Sequence, residues 1–330
     1  MGRLNSFEEH KETIRWANDF KPTPSNIYCS SIKELLALYQ ADLKKYFALS
    51  VLAQSKSADP DLVQKAQGQI FRIRVQLERD IASTLNKSNF EKITTEGNFF
   101  GASKKQGVSV RMPLWTCEPT ALCAGRCYAH DTLDAAPASV LRGAINGQIA
   151  ERYENGSQAE RTQIIQSIDP HIKKAIKASY REAADCGWNR EPRIRFSHVG
   201  DIVAYADFAN EMARQITDKS GGKVVSVVYT RRRDVTNLDP NLWVINFTLD
   251  PSSLDREKWI PAYANTVFSA FDGVTSETAH VNFLEHHRWS HCSPKGTGVI
   301  CPATMPETES RTCDSLLCKR CFVSGKKDNK

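Results

Sequence analysis

Eight of the ten cysteines fall into two short blocks, and this distribution constrains the chain more than any other feature. The first block is Cys117, Cys123 and Cys127 within WTCEPTALCAGRCYAH, a C-x5-C-x3-C run with Tyr128 behind the last thiol. The second lies close to the C-terminus and holds Cys292, Cys301, Cys313, Cys318 and Cys321. Cysteines scattered through a core would not gather in this way. Thiolates at short spacing, with Gly and Pro turning the backbone between them, are the ligands that soft metals and iron–sulfur clusters require. The two isolated cysteines, Cys29 and Cys186, read as ordinary buried residues.

The compartment decides between metal and disulfide. No run of eighteen apolar residues is present, so no membrane span is expected. The N-terminal MGRLNSFEEHKETIRW has no apolar core of a secretory signal, and the expected location is the cytoplasm. Thiols stay reduced there, which favours metal ligation over cystine. The net charge of +6 permits a nucleic-acid partner without requiring one.

Along the chain, residues 1–95 read as a helical extension. Apolar residues recur at three- and four-residue spacing from Ser31 to Leu49 and from Asp61 to Leu85, with a break at Ser57–Pro60. Residues 96–290 read as the main domain. A strand in VSVRM delivers Cys117, and helical patterns follow from Ala138 to Tyr153 and from Gln158 to Ala184. Five further short apolar runs then read as strands: Arg193–Ser197, Val224–Tyr229, Trp243–Leu249, Thr266–Phe271 and Ala279–Leu284. An amphipathic helix from Ala204 to Thr217 separates the first two. The expected fold class is therefore α/β, a partial (β/α) TIM-like barrel, with a doubly wound sheet as the alternative. Residues 291–330 form a Cys-rich metal- or cluster-binding segment.

Active sites of parallel sheets form at the C-terminal strand ends. Polar groups recur there: Ser197 to Asp201 after one strand, Thr230 to Arg233 after the next, then Thr248, Asp250 and Asp272-Gly273. Gly200-Asp201 is a tight turn presenting a carboxylate, and His198 is placed for proton transfer, with Asp201 equally suited to cap the helix that follows. Gly200, Asp201, Thr230 and Arg231 are the expected cofactor contacts. Three consecutive arginines, Arg231 to Arg233, cannot all face one ligand, so at least one is solvated. The three thiols Cys117, Cys123 and Cys127 suit a [4Fe–4S] cluster with one open iron, or a catalytic zinc. Cys301, Cys313, Cys318 and Cys321 suit a closed zinc or iron–sulfur site, with His291 and Cys292 as further donors. Spacing leaves open which of them join which site.

The TCxxxxLCxxxCYA segment from Thr116 to Ala129, the strand leading to the Gly200-Asp201 turn, the VVYTRR run and the terminal CP…C…CxxCF pattern together resemble one family. This is the "gene product eighty-eight" type, encoded mostly by phages and plasmids and similar to radical S-adenosylmethionine barrel enzymes. The resemblance covers residues 96–322. It implies a TIM-barrel-like core and an iron–sulfur cluster, with Cys117, Cys123 and Cys127 as cluster ligands by position. The radical enzymes carry C-x3-C-x2-C with an aromatic before the last cysteine, whereas this chain has x5 and x3 spacing and Tyr128 after it. The expected function is an iron–sulfur protein of a mobile element, of radical S-adenosylmethionine-like type. The alternative is a non-enzymatic nucleic-acid- or protein-binding chain stapled by iron–sulfur or zinc sites.

Overall fold

The computed structural model describes residues 7–21, 27–103, 107–125, 127–130, 134–185, 191–271 and 274–285. The second cysteine block, with Cys301, Cys313, Cys318 and Cys321, lies outside the described residues, as do His291, Cys186 and Asp272-Gly273.

Four helices open the chain: α1 (Phe7–Asp19), α2 (Ile32–Ala53), α3 (Pro60–Lys87) and α4 (Phe90–Glu96). Their starts follow from local chemistry. Ser31 caps α2 by accepting from the Glu34 amide at 3.3 Å, and Glu34 reaches back to the Ser30 amide at 2.7 Å. At the break before α3, Asp59 accepts from the Asp61 amide at 2.8 Å, and Pro60 occupies the first turn, where no amide donor is needed.

A seven-stranded sheet follows, in the order β1 (Phe100–Ser103), β2 (Gly107–Arg111), β3 (Arg193–Val199), β4 (Val225–Thr230), β5 (Trp243–Leu249), β6 (Asn265–Phe271) and β7 (Val281–Glu285). The first pair is antiparallel and all later pairs are parallel. The fold is thus α/β with a mostly parallel sheet that is open, with β1 and β7 at its edges. A doubly wound sheet reverses its strand order at a switch point. The order here is strictly sequential, so that alternative is set aside.

The long crossover from β2 to β3 carries the first cysteine block on α5 (Ala121–Gly125) and its flanks, then α6 (Pro137–Asn155) and α7 (Gln158–Asp185). The crossover from β3 to β4 carries α8 (Ala206–Ser220). After β4 and β5 the connections carry 3-10 turns at Arg233–Asn237 and Leu254–Trp259. Those connections run to about a dozen residues, the minimum for a parallel return, which leaves no length for a full helix and two turns.

Strand alternation sorts the sheet into two faces. Ile194, Phe196, Val228, Ile245, Phe247 and Phe268 join one apolar cluster that continues through the helices as far as Ile14. Phe99 and Phe100 belong to it, 5.1 Å apart edge to face, as core packing predicts. The opposite face is mixed: Arg195, Asn246, Thr248, Asn265 and Ser269 are polar, while Val267 and Val281 pack with Tyr229 and Phe283 in a small apolar cluster. Among the described residues no helix is long and apolar enough to cross a membrane.

A candidate metal centre

The segment from Met112 to His130 is held at both ends by the N-terminal helices. Before the first cysteine, the Glu78 carboxylate of α3 accepts from the Leu114 amide at 2.6 Å. Glu78 forms a wholly buried ion pair with Arg74 one turn away, and Arg74 donates to the Asp134 carbonyl at 3.0 Å. After the last cysteine, Ser50 and Gln54 of α2 both donate to the His130 carbonyl, and the Tyr46 hydroxyl meets His130 Nδ1 at 3.0 Å. The helical extension thus braces the cysteine segment.

Two glycines let this segment lie close. Gly200, at φ +72°, would place a Cβ under 3.0 Å from the backbone of Met112 and Pro113. Gly147 of α6 would place one against Pro113 and Trp115. Next to Gly200, Ser197 sits at φ +59° where β3 bulges against β2. An L-residue there costs about 1 kcal/mol, in part offset by the bond from the Ile202 amide to Ser197 Oγ at 3.0 Å. Strain of this kind collects at functional sites. In the middle of the segment, Thr120 accepts from the Cys123 amide at 3.0 Å and donates to Asp250 Oδ2 at 2.7 Å, tying α5 to the end of β5.

Cys117, Cys123 and Cys127 line a single cavity of about 130 Å³ at the C-terminal ends of the parallel strands. None of the three sits in a disulfide among the described residues, and all are partly buried. Burial pushes the Cys117 thiol well up, and Asp201, Cys127 and Cys123 push it further. Burial followed by the charge of Cys123 raises Cys127 as well. Three thiolates sharing such a pocket repel one another unless a cation is present, and a bound metal reverses this balance by deprotonating its thiols. Thiolate is the donor type that soft metals and iron–sulfur clusters take. Among the described residues no three His, Cys, Asp or Glu side chains converge as a ready-made ligand set.

Gly200, Asp201, Thr230 and Arg231 all line this cavity, as expected from their strand ends. Each is also engaged by the protein. Asp201 takes both of its sequence readings: it caps the turn at Ile202–Tyr205 by accepting from the Val203 amide at 3.1 Å, and it accepts from Thr230 Oγ1 at 2.7 Å. Its own amide donates to Thr116 Oγ1 at 2.7 Å. Burial raises its carboxyl to about 7, against the hydrogen bonds from Thr230 and Val203. Gly200 spends its open side on Met112 rather than on a ligand. Arg231 pairs with Asp250 at 2.7 Å and donates to Ser269 at 2.9 Å. Burial opposes the Asp250 charge, but bonds from Thr120 and Ser252 and the nearby Arg231 hold its carboxyl below the usual range. Arg232 pairs with Asp234 at 2.7 Å and donates to the Thr116 carbonyl at 2.9 Å, while Arg233 is the solvated member of the three.

His198 is not on the cavity wall. It is buried against Asp134 at 3.2 Å, and Asp134 also pairs with Arg111 at 2.8 Å. Burial lowers its pKa despite Asp134. Sequence reasoning missed Arg195 and Tyr229, which line the cavity, and the Arg74–Glu78 pair behind it. The alternation Arg193-Ile194-Arg195-Phe196 already places Arg195 opposite the core-facing residues, so that signal was present. The i,i+4 Arg–Glu pair carried none, because on a helix it looks like an ordinary surface pair. No family model, curated protein or solved structure matches this chain.

Proposed function

We propose that this chain is an iron–sulfur protein in which Cys117, Cys123 and Cys127 hold a [4Fe–4S] cluster at the mouth of a partial, TIM-like barrel. The observation that supports the reading is the gathering of three cysteines around one cavity at parallel strand ends. The sequential order of the mostly parallel sheet supports the barrel-like part of this reading. A cluster with three thiolate ligands keeps one iron available to a further ligand and supplies one-electron transfer.

The chain's own residues do the rest. Glu78, Ser50 and Gln54 fix the two ends of the cysteine segment, and Thr120 orients Cys123 between them. Burial raises the Asp201 carboxyl on the wall it shares with Cys117. Thr230 holds its Oδ2 in a fixed direction. The reading extends to radical S-adenosylmethionine-like chemistry in a protein of a phage or plasmid, with Thr230 and Arg231 on the wall that a cofactor would meet.

The test is spectroscopic. The anaerobically purified, dithionite-reduced protein is examined by EPR with and without S-adenosylmethionine. A reduced-cluster signal that changes on addition supports the enzyme reading. A cluster signal indifferent to the additive supports an electron-transfer or structural role. A protein with zinc and no iron supports the stapled, non-enzymatic alternative, which the mutual pairing of Arg231, Asp250 and Thr120 also favours.

A further inference from the structure

Among the described residues that line the cavity the cations are Arg195 and Arg231, and only Arg231 pairs with a carboxylate. Arg231 has Asp250 at 2.7 Å, Arg232 has Asp234 at 2.7 Å and Arg111 has Asp134 at 2.8 Å. Of the acids on the wall, Asp201 is taken up by Thr230 and Val203, and Glu118 lies 3.3 Å from Arg232. Arg195 pairs with no carboxylate among the described residues, and its buried Nε has no hydrogen-bond partner. Its guanidinium lies over the Tyr229 ring, 4.1 Å from the centroid, so its position is fixed before any ligand arrives. A guanidinium stacked in this way keeps its donors in its own plane, where a planar or tetrahedral anion meets them. On the same wall Ser197, Thr248 and Ser269 add hydroxyls.

We propose that the cavity beside the cysteines takes a small organic anion, with its carboxylate or phosphate held by Arg195 and its polar body facing Thr248 and Ser269. This names the substrate class of the cavity described above and rests on the reading of that cavity as the working site. Arg195 is a binding residue in this account, and Tyr229 is the residue that positions it.

Calorimetric titration with sodium phosphate and with sodium acetate, each at matched ionic strength, tests the proposal on the full-length protein. Saturable binding of at least one anion is expected, and the tighter of the two identifies the headgroup. Arg195→Gln is expected to weaken it at least tenfold and Arg195→Lys less, since the ammonium keeps charge but loses the planar fork. Saturation by neither anion, or equal affinity in Arg195→Gln, overturns the proposal. Should circular dichroism show Arg195→Gln unfolded, Thr248→Val replaces it, and an affinity unchanged there overturns the proposal equally. Metal analysis of the same samples separates the two readings. A metal-free wild type that binds the anion through Arg195 refutes the cluster and leaves the anion site. A cluster-loaded protein that binds neither anion does the reverse.

Discussion

His130 closes the cysteine segment, and it makes the brace titratable. The ring is buried, with Nδ1 against the Tyr46 hydroxyl at 3.0 Å, and that hydroxyl lies 3.4 Å from Arg74 Nη1. Nε2 has no partner among the described residues. Burial, with the nearby Arg74 charge, lowers the pKa to about 3. The unfolded chain takes up a proton near the ordinary histidine value of about 6.5, while the folded one does not. The stability contributed by this depressed base is present above about pH 6.5 and is lost as pH falls from there toward the folded value. At pH 5 the folded ring is still neutral, so the loss depends only on the 1.5-unit distance from the unfolded pKa. At about 1.36 kcal/mol per unit this amounts to about 2 kcal/mol. Urea unfolding of wild type and His130→Gln at pH 7.5 and pH 5 reads it directly. The wild type is expected to lose about 2 kcal/mol more than the variant over this interval. Equal losses would refute the argument that His130 is held neutral by its burial against Tyr46 and Arg74.

Arg74→Met leaves Glu78 buried without its partner and is expected to cost about 3–5 kcal/mol in urea unfolding, with Arg74→Met/Glu78→Leu recovering part of it. Gly200→Ala combines a left-handed φ with a clash against the Met112 backbone, so a loss above about 1 kcal/mol is expected together with lower metal retention. Thr120→Val removes the cap on α5 and the bond to Asp250, for an expected loss of about 1 kcal/mol by thermal unfolding. Phe196→Ala, deep under the sheet, is expected to cost about 3–5 kcal/mol in the same assay without changing the cavity wall.

The strands that carry the site were legible because each is a short β-branched or aromatic run ended by polar residues. Trp243–Leu249 is buried along its whole length, as a central parallel strand requires. The antiparallel β1 was missed: Phe100–Ser103 is four residues long and contains Gly101, too little for a periodic signal. The cavity was half legible. Cys117, Cys123, Cys127 and the Asp201–Thr230–Arg231 wall follow from spacing and strand ends. His198, one residue from the same turn, falls on the Asp134 side as strand alternation requires, since Arg195, Ser197 and Val199 take the cavity face. The bracing of the cysteine segment by Arg74, Glu78, Tyr46 and Ser50 depends on contacts far apart in the chain, which no local pattern encodes.

The central claim is that Cys117, Cys123 and Cys127 bind a metal cluster together. The most direct measurement is iron, sulfide and zinc content per chain, with the absorption spectrum, for anaerobically purified wild type and the Cys117→Ser/Cys123→Ser/Cys127→Ser variant. The expected result is a brown wild type with about four irons and matching sulfide attributable to these thiols, lost in a folded variant. A colourless wild type carrying zinc alone, or iron content unchanged in the variant, would contradict it.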